Sequence, residues 1–293
     1  MMAETPRIFD RALVRRRRVR HAASLPDADF LLREIAERLA ERLDDLTAAF
    51  PTAVALGARG GIARDALAGR GGIRTLIEAD LDVRALAPGG LRLAADAEAA
   101  PFADRSLDLI FAAADLHVTN DLPGALIQCR RALRPDGLFL GAIFGPATLL
   151  PVRQAFLEAE AALGAPSSPH VAPYVDIRDA AGLLQRAGFA LPVADTEIIT
   201  VSYAEPFKAL ADLRQMGEAN VLMERSRRPL RRDVLMAAMT RLQATAAGAG
   251  GRLAIPYEIV FLTGWAPAPT QQKPLARGSG QVSLIDALKP KDQ

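Results

Sequence analysis

Cysteine is nearly absent: the chain of 293 residues has one, Cys129. A single thiol cannot form an internal disulfide, and Cys129 falls inside a helical pattern, so the chain suits a reducing compartment and the thiol reads as structural. No apolar run approaches the roughly 20 residues that a membrane-spanning helix needs. There is no P-loop, no Cys-x-x-Cys, no His-Glu-x-x-His and no G-x-S-x-G, which disfavours zinc and hydrolase chemistry. An excess of one charge is missing too: the formal net charge is +2, too small for nucleic-acid binding by the whole surface. With 50% hydrophobic and 24% charged residues the composition is that of a globular protein, and it excludes a largely disordered chain.

The small net charge hides a local asymmetry. Arg11, Arg15, Arg16, Arg17, Arg18 and Arg20 fall within ten residues. Such a run attracts phosphate or an anionic membrane surface, or it forms a face whose stems pack on the domain. The second reading is preferred. An Arg-rich start also resembles a transit peptide, but Glu4 and Asp10 argue against that, and the segment is expected to continue as a capped helix of the mature protein.

Periodicity then alternates between helix and strand. Residues 25–46 carry apolar positions at helical spacing after Pro26 and Asp27. Short apolar strands are expected at 52–57, 73–79, 91–94, 107–113 and 138–144, with helices at 61–67 and 122–133 and a turn at 134–137. Beyond Gly145 the pattern gives helices at 148–164 and 179–188, a Pro-rich loop at 167–174, and a strand at 198–203. A mostly helical stretch at 206–243 follows, broken near Gly217 and Pro229, and then a closing strand at 257–265. This order predicts an α/β fold, a doubly wound, mostly parallel seven-stranded sheet with a helical cap. The expected division is an N-terminal helical segment 1–50, a main domain 51–265 with its cap around 205–248, and a tail 266–293 that is mobile or docks on a partner.

In an open parallel sheet the ligand crevice lies outside the strands' C-terminal ends. That places Gly57, Asp80 and Asp96 on one rim. The stretch AVALGARGGIARDAL lacks G-x-G-x-x-G spacing, so a nicotinamide dinucleotide is disfavoured.

With these residues in place the chain resembles the class I S-adenosylmethionine-dependent methyltransferases. PFADRSLDLIF, the acidic strand ends and RALRPDGLFLGAIFG carry the likeness. FDRALVRRRR, LHVTNDLPGAL, SSPHVAPY, LLQRAGF, LRQMGEAN and YEIVFLTGW extend it, nearly full length, to one branch. That branch is the complex I assembly factors described as arginine hydroxylases of methyltransferase fold, with their alphaproteobacterial relatives. The malonyl-carrier-protein methyltransferases of biotin synthesis are more distant neighbours. The resemblance implies S-adenosylmethionine as cofactor, with Asp80 on its ribose, Asp96 and Ala97 at its adenine, and Gly57 and Gly61 in the loop by its methionine part. Ala55 replaces the family's acidic residue and Arg59 a glycine. Losing that carboxylate removes a contact of roughly 1.5–3 kcal/mol, and Arg59 either fills the methionine space or serves a different, anionic ligand.

Catalytic candidates are His117, Asp121, His170 and Tyr203. Hydroxylation of an unactivated carbon calls for an oxygen-activating centre, and His117, His170 and Asp121 supply the ligand types of a two-histidine, one-carboxylate iron site. The alternative is that His117 lines a pocket after the fourth strand and His170 orders its loop. Asn120, Tyr174, Arg214, Asn220 and Tyr257 are further pocket candidates, and the loop at 216–220 is expected to face the substrate.

Three functions are weighed. The first is a bacterial, cytoplasmic enzyme modifying a protein side chain in respiratory complex assembly, by methylation or arginine hydroxylation, with a respiratory complex subunit as partner and the inner membrane face as a site of peripheral contact. The second is a non-catalytic assembly factor, and the third a small-molecule or carrier-protein methyltransferase.

Overall fold

The computed structural model describes residues 7–271. The remainder of the expected tail, including the amphipathic piece at 282–288, lies outside the described residues. Seven strands form one sheet: β1 (Thr52–Leu56), β2 (Thr75–Asp80), β3 (Leu91–Ala94), β4 (Leu107–Ala113), β5 (Leu133–Phe144), β6 (Ala190–Tyr203) and β7 (Leu253–Trp265). Their order is β3-β2-β1-β4-β5-β7-β6, with β7 antiparallel to both neighbours and the other pairings parallel. The expected doubly wound α/β sheet is present.

Both faces are covered, as parallel strands require. Alternate residues of β1 show why: Ala53 and Ala55 join one core cluster, Val54 and Leu56 the other. On the first face lie α2 (Phe30–Ala40), α3 (Ile62–Leu67), α5 (Leu150–Ala162) and α8 (Arg232–Thr245). On the second lie α4 (Leu122–Ala132) and α6 (Ile177–Ala187), and α4 buries Cys129, whose thiol burial pushes up to about 12. α7 (Pro206–Gln215) follows β6 and packs near α8, with the break between them at the expected glycine and proline.

Several expected boundaries shift, among them that of β7, which begins at Leu253 rather than 257. Helix 25–46 is α2 flanked by single tight turns at Leu25–Asp27 and Glu41–Leu43. The expected turn at 134–137 belongs to β5, which begins at Leu133 and absorbs Asp136 (φ 61°) through an irregularity opposite Leu107–Leu109. β6 begins at Ala190 rather than 198, because an edge strand tolerates Pro192 within a register shift and alternates exposed with covered residues. An edge of this kind lacks the continuous apolar run by which a buried strand announces itself.

Candidate functional site

The first helix, α1 (Arg11–His21), starts at Asp10, whose side chain accepts from the Leu13 N–H. It lies across the C-terminal ends of β2 and β4 because its arginines recur at helical spacing and meet carboxylates in succession. Arg11 Nη2 donates to Asp96 at 2.5 Å, with Glu98 at 3.5 Å from its Nε. Arg15 reaches Asp82 at 2.9 Å. Arg18 Nη1 donates to Asp80 Oδ2 at 3.0 Å and to Asp115 Oδ1 at 2.6 Å. Arg17 donates to the Asn220 carbonyl at 2.7 Å. Four of the six arginines in the run therefore have partners within the molecule, three of them largely covered and Arg15 half exposed, and the phosphate or membrane reading of that run is weakened by them.

Beneath α1, the turn from β1 into α3 has three left-handed glycines, Gly57 (φ 66°), Gly60 (φ 60°) and Gly61 (φ 76°). At Gly57 an added Cβ would lie 2.5 Å from the Asp115 Cβ, so the carboxylate after β4 can stand this close only to a glycine. Arg59 turns inward and is 3% exposed. Its guanidinium donates to the carbonyls of Met216 and Ala114 at 2.7 and 2.9 Å and to Glu218 Oε1 at 2.8 Å. The loop at 216–220 thus faces the crevice, tied there by the arginine that stands in a glycine place.

Glu218 links two regions. Its Oε1 accepts from Arg59 and its Oε2 lies 3.0 Å from His117 Nε2. Burial opposes its charge, but Arg59, His117 and Arg18 hold its carboxyl far below the usual range. Asp115 is likewise buried and is held low by Arg18 and Arg11. Asp80 goes the other way: burial raises it beyond what Arg18 offsets, since one guanidinium nitrogen serves both carboxylates. Its Oδ1 is buried with no partner.

S-adenosylmethionine can be tested against this geometry. The unpaired Asp80 Oδ1 is an acceptor suited to a ribose hydroxyl, and Asp96 stands at the end of β3 with Ala97 buried beside it. Against that, Arg18 and Arg11 already hold those two carboxylates, and Arg59 lies across the space by the glycine turn. The cavity left beside Arg18, Gly217 and Glu218 is about 30 Å³, room for a water or two. With α1 in this place the residues do not fit the cofactor.

The expected metal triad is not assembled. His117 pairs with Glu218, and His170 Nε2 lies 2.7 Å from Glu160 with its ring stacked on Phe156. Asp121 caps α4 by accepting from the Gly124 N–H. Among the described residues no three of His, Cys, Asp and Glu gather as a metal cluster. Tyr203 and Tyr257 sit in the core, hydroxyls 3.5 Å apart, and burial raises both. Asn220 donates to the Pro169 carbonyl, Tyr174 packs edge-on to His117, and Asn120 accepts from the Phe9 N–H. Sequence reasoning named Arg18 only as one of the arginine run, reached Glu218 only as part of the loop at 216–220, and did not name Asp115. The signal for Arg18 was there in the spacing of 11, 15 and 18, but nothing local shows which strand ends an Arg stripe meets.

The methyltransferase domain family matches residues 54–141. The rat protein "Arginine-hydroxylase NDUFAF5, mitochondrial" is 34% identical over 97% of this chain and 85% of its own length. The human protein of that name is 35% identical over 96% and 83%. A malonyl-[acyl-carrier protein] O-methyltransferase of Xylella fastidiosa is 32% identical over 89% of each chain. Among solved structures, the YcgJ protein of Bacillus subtilis covers 78% of this chain and 98% of its own, with a TM-score of 0.53 at 16% identity, a likeness of fold alone.

Proposed function

The chain belongs to the family of the arginine-hydroxylase NDUFAF5, and from that membership we propose that it hydroxylates an arginine side chain of a partner protein during assembly of a respiratory complex. The likeness over nearly the whole of both chains, at 34–35% identity, carries this reading. It acts in the bacterial cytoplasm, where its lone buried thiol stays reduced. Among the described residues no helix is long and apolar enough to cross a membrane, so contact with the inner membrane face is peripheral.

Hydroxylation places one oxygen of dioxygen into a C–H bond. The other oxygen leaves as water, which takes two electrons and two protons from a reductant. The assay must therefore supply oxygen, a reductant and an oxygen-activating group. S-adenosylmethionine is the cofactor the fold suggests, but Arg18 and Arg11 hold Asp80 and Asp96, and Arg59 lies by Gly57 and Gly61, so no part of the reaction is assigned to it.

The test is mass spectrometry of arginine-bearing subunits of the respiratory complex from cells with and without this protein. One oxygen gained on an arginine only when the protein is present supports the reading; a gained methylene, or no change, overturns it. Carrier-protein methylation is the second reading, favoured by the likeness to the malonyl-carrier-protein enzymes. Ala55 and Arg59 count against it.

A further inference from the structure

The arginines of α1 divide by face. Arg11, Arg15 and Arg18 meet carboxylates at the strand ends, whereas Arg16 and Arg20, one turn apart, are exposed on the opposite side of the helix. A second segment brings more arginines beside them. The chain leaves α7 at Gln215, passes α1 at Gly217, where an added Cβ would lie 3.7 Å from Arg18 Cγ, and returns along the start of α1. There Phe9 bridges Leu222, the Asp10 N–H donates to the Val221 carbonyl and the Met223 N–H to the Ile8 carbonyl, both at 2.8 Å. Arg225 donates to Asp10 at 3.1 Å and to the Leu222 carbonyl at 2.6 Å. The root of the loop ERSRRPLRR, residues 224–232, is thereby fixed next to α1.

From Arg214 to Arg232 the chain carries six arginines and two carboxylates, and of these two Glu218 is already held by Arg59. Arg16, Arg20, Arg214, Arg227 and Arg228 are all exposed. The cations crowd one another. Burial first, then Arg225, Arg20 and Arg214, lower Arg17 from the usual arginine range, and burial with Arg20, Arg214 and Arg17 lowers His21. Without Arg16, Arg20, Arg214, Arg225, Arg227 and Arg228 the net charge of +2 would be negative, so this face is set against an acidic remainder. Like charges gathered in this way destabilise the free chain, and an anionic partner relieves the repulsion.

Which anion fits follows from the side chains. The arginines are spread over α1, the last turn of α7 and the loop, so they match charges strung along a chain rather than one phosphate. Each guanidinium is a planar fork that pairs with a carboxylate through two hydrogen bonds. A membrane surface asks in addition for an apolar helix face that inserts, and the exposed positions of α1 are Ala12, Arg15, Arg16 and Arg20. Met223 and Leu230 stand in the same loop segment at 38% and 42% exposure, and arginine with methionine is a composition favoured at protein interfaces. We propose that the outer face of α1, the end of α7 and the loop at 224–232 form a docking surface for an acidic segment of a partner protein, one bearing several Asp or Glu side chains. The surface borders the loop at 216–220, because Arg17 donates to the Asn220 carbonyl, so a segment held there lies beside the crevice. It goes beyond the hydroxylase reading and does not rest on it.

The experiment is fluorescence anisotropy of a labelled peptide of alternating glutamate and glycine, titrated with the full chain. The glutamine-for-glutamate peptide and phosphatidylserine vesicles are run beside it. Saturable binding of the glutamate peptide alone is expected. Arg16→Ser, Arg214→Ser and Arg228→Ser combined, one from each segment, is expected to weaken that binding about tenfold or more. Arg92→Ser, Arg178→Ser and Arg186→Ser combined removes the same charge from exposed positions on β3 and α6, and is expected to weaken it less than about twofold. Arg228→Ser alone, in an open loop, is expected to show a severalfold part of the loss with an unchanged thermal melt, which keeps the test decisive if the first triple does not fold. Equal weakening by the two triples, equal binding of the two peptides, or no saturable binding would each overturn the proposal. Vesicle binding that the first triple abolishes, with the glutamate peptide left unbound, would overturn it in favour of a membrane face.

Discussion

The crevice at the ends of β1 and β2 and the cavity beyond β4 are neighbours joined through Glu218, yet they are finished differently. In the crevice, Asp80, Asp96, Asp115 and Glu218 each have a guanidinium from Arg11, Arg18 or Arg59; about 30 Å³ is left beside Arg18 and Glu218, and an open cleft of about 300 Å³ runs along Arg11 and Asp96. In the cavity about 210 Å³ remains, walled by Phe9, Leu116, Leu122, Phe144, Tyr174 and Leu183. Buried polar atoms without partners occur in both, Asp80 Oδ1 and Arg59 Nε in the one, His117 Nδ1 and Thr119 Oγ1 in the other. What separates them is charge: the crevice gathers four carboxylates on three guanidinium groups, and the wall of the cavity is mostly apolar.

The largest expected effect breaks the charged side. Arg18→Ala leaves Asp80 and Asp115 buried around a missing cation, and removing one member of a buried ionic group costs about 3–5 kcal/mol. Urea unfolding measures it. The same variant is expected to bind S-adenosylmethionine more tightly than the native chain in calorimetry, because the guanidinium that holds Asp80 is gone. A loss of stability with no gain in binding would show that Arg59 alone closes the crevice.

Acid titration tests the same cluster. Glu218 and Asp115 have depressed carboxyls, so their contribution is present above the unfolded value, about 4, and is lost as pH falls below it. Asp80 is raised, so its contribution is present in acid and fades as pH rises through its elevated value. Stability by urea midpoint is thus expected to drop below about pH 4, and Glu218→Gln to shrink that drop. Asp80→Asn should leave the drop in place and alter only the higher-pH side.

Much of the fold was legible because its signals are local. Apolar runs ending at Asp80 and Ala113, and the glycines after β1, mark strands and their exits without reference to anything distant. The edge strand β6 was half missed, since exposure of every second residue and Pro192 hide it. The site was less legible. His117 was identified, but its meaning depends on Glu218, 101 positions away in sequence, and Arg18 meets Asp80 across 62. Asp115 carried no signal of its own in the sequence, and its place is set by Gly57, where an added Cβ would lie 2.5 Å from the Asp115 Cβ. Ala55 and Arg59 were read as damage to a ligand loop; Arg59 proves to be an organising residue, with three buried acceptors around it.

Gly57→Ala sharpens the contrast at smaller cost. It forces a left-handed backbone on an alanine and drives its Cβ toward Asp115, an expense of about 1–3 kcal/mol in urea unfolding.

Arg15→Ala is the smallest change and isolates position within the arginine stripe. Arg15 pairs with Asp82 at 2.9 Å, as Arg18 does with Asp80, but its side chain is 55% exposed and Arg84 also holds Asp82. Solvent screens the Arg15 pair and a second cation replaces it, so unfolding should move by less than about 1 kcal/mol. Cofactor binding should not change, since Arg15 leaves Asp80 alone. If Arg15→Ala opened the crevice as Arg18→Ala does, the whole helix rather than one buried guanidinium would be the closing element, and the two arginines would differ in exposure but not in role.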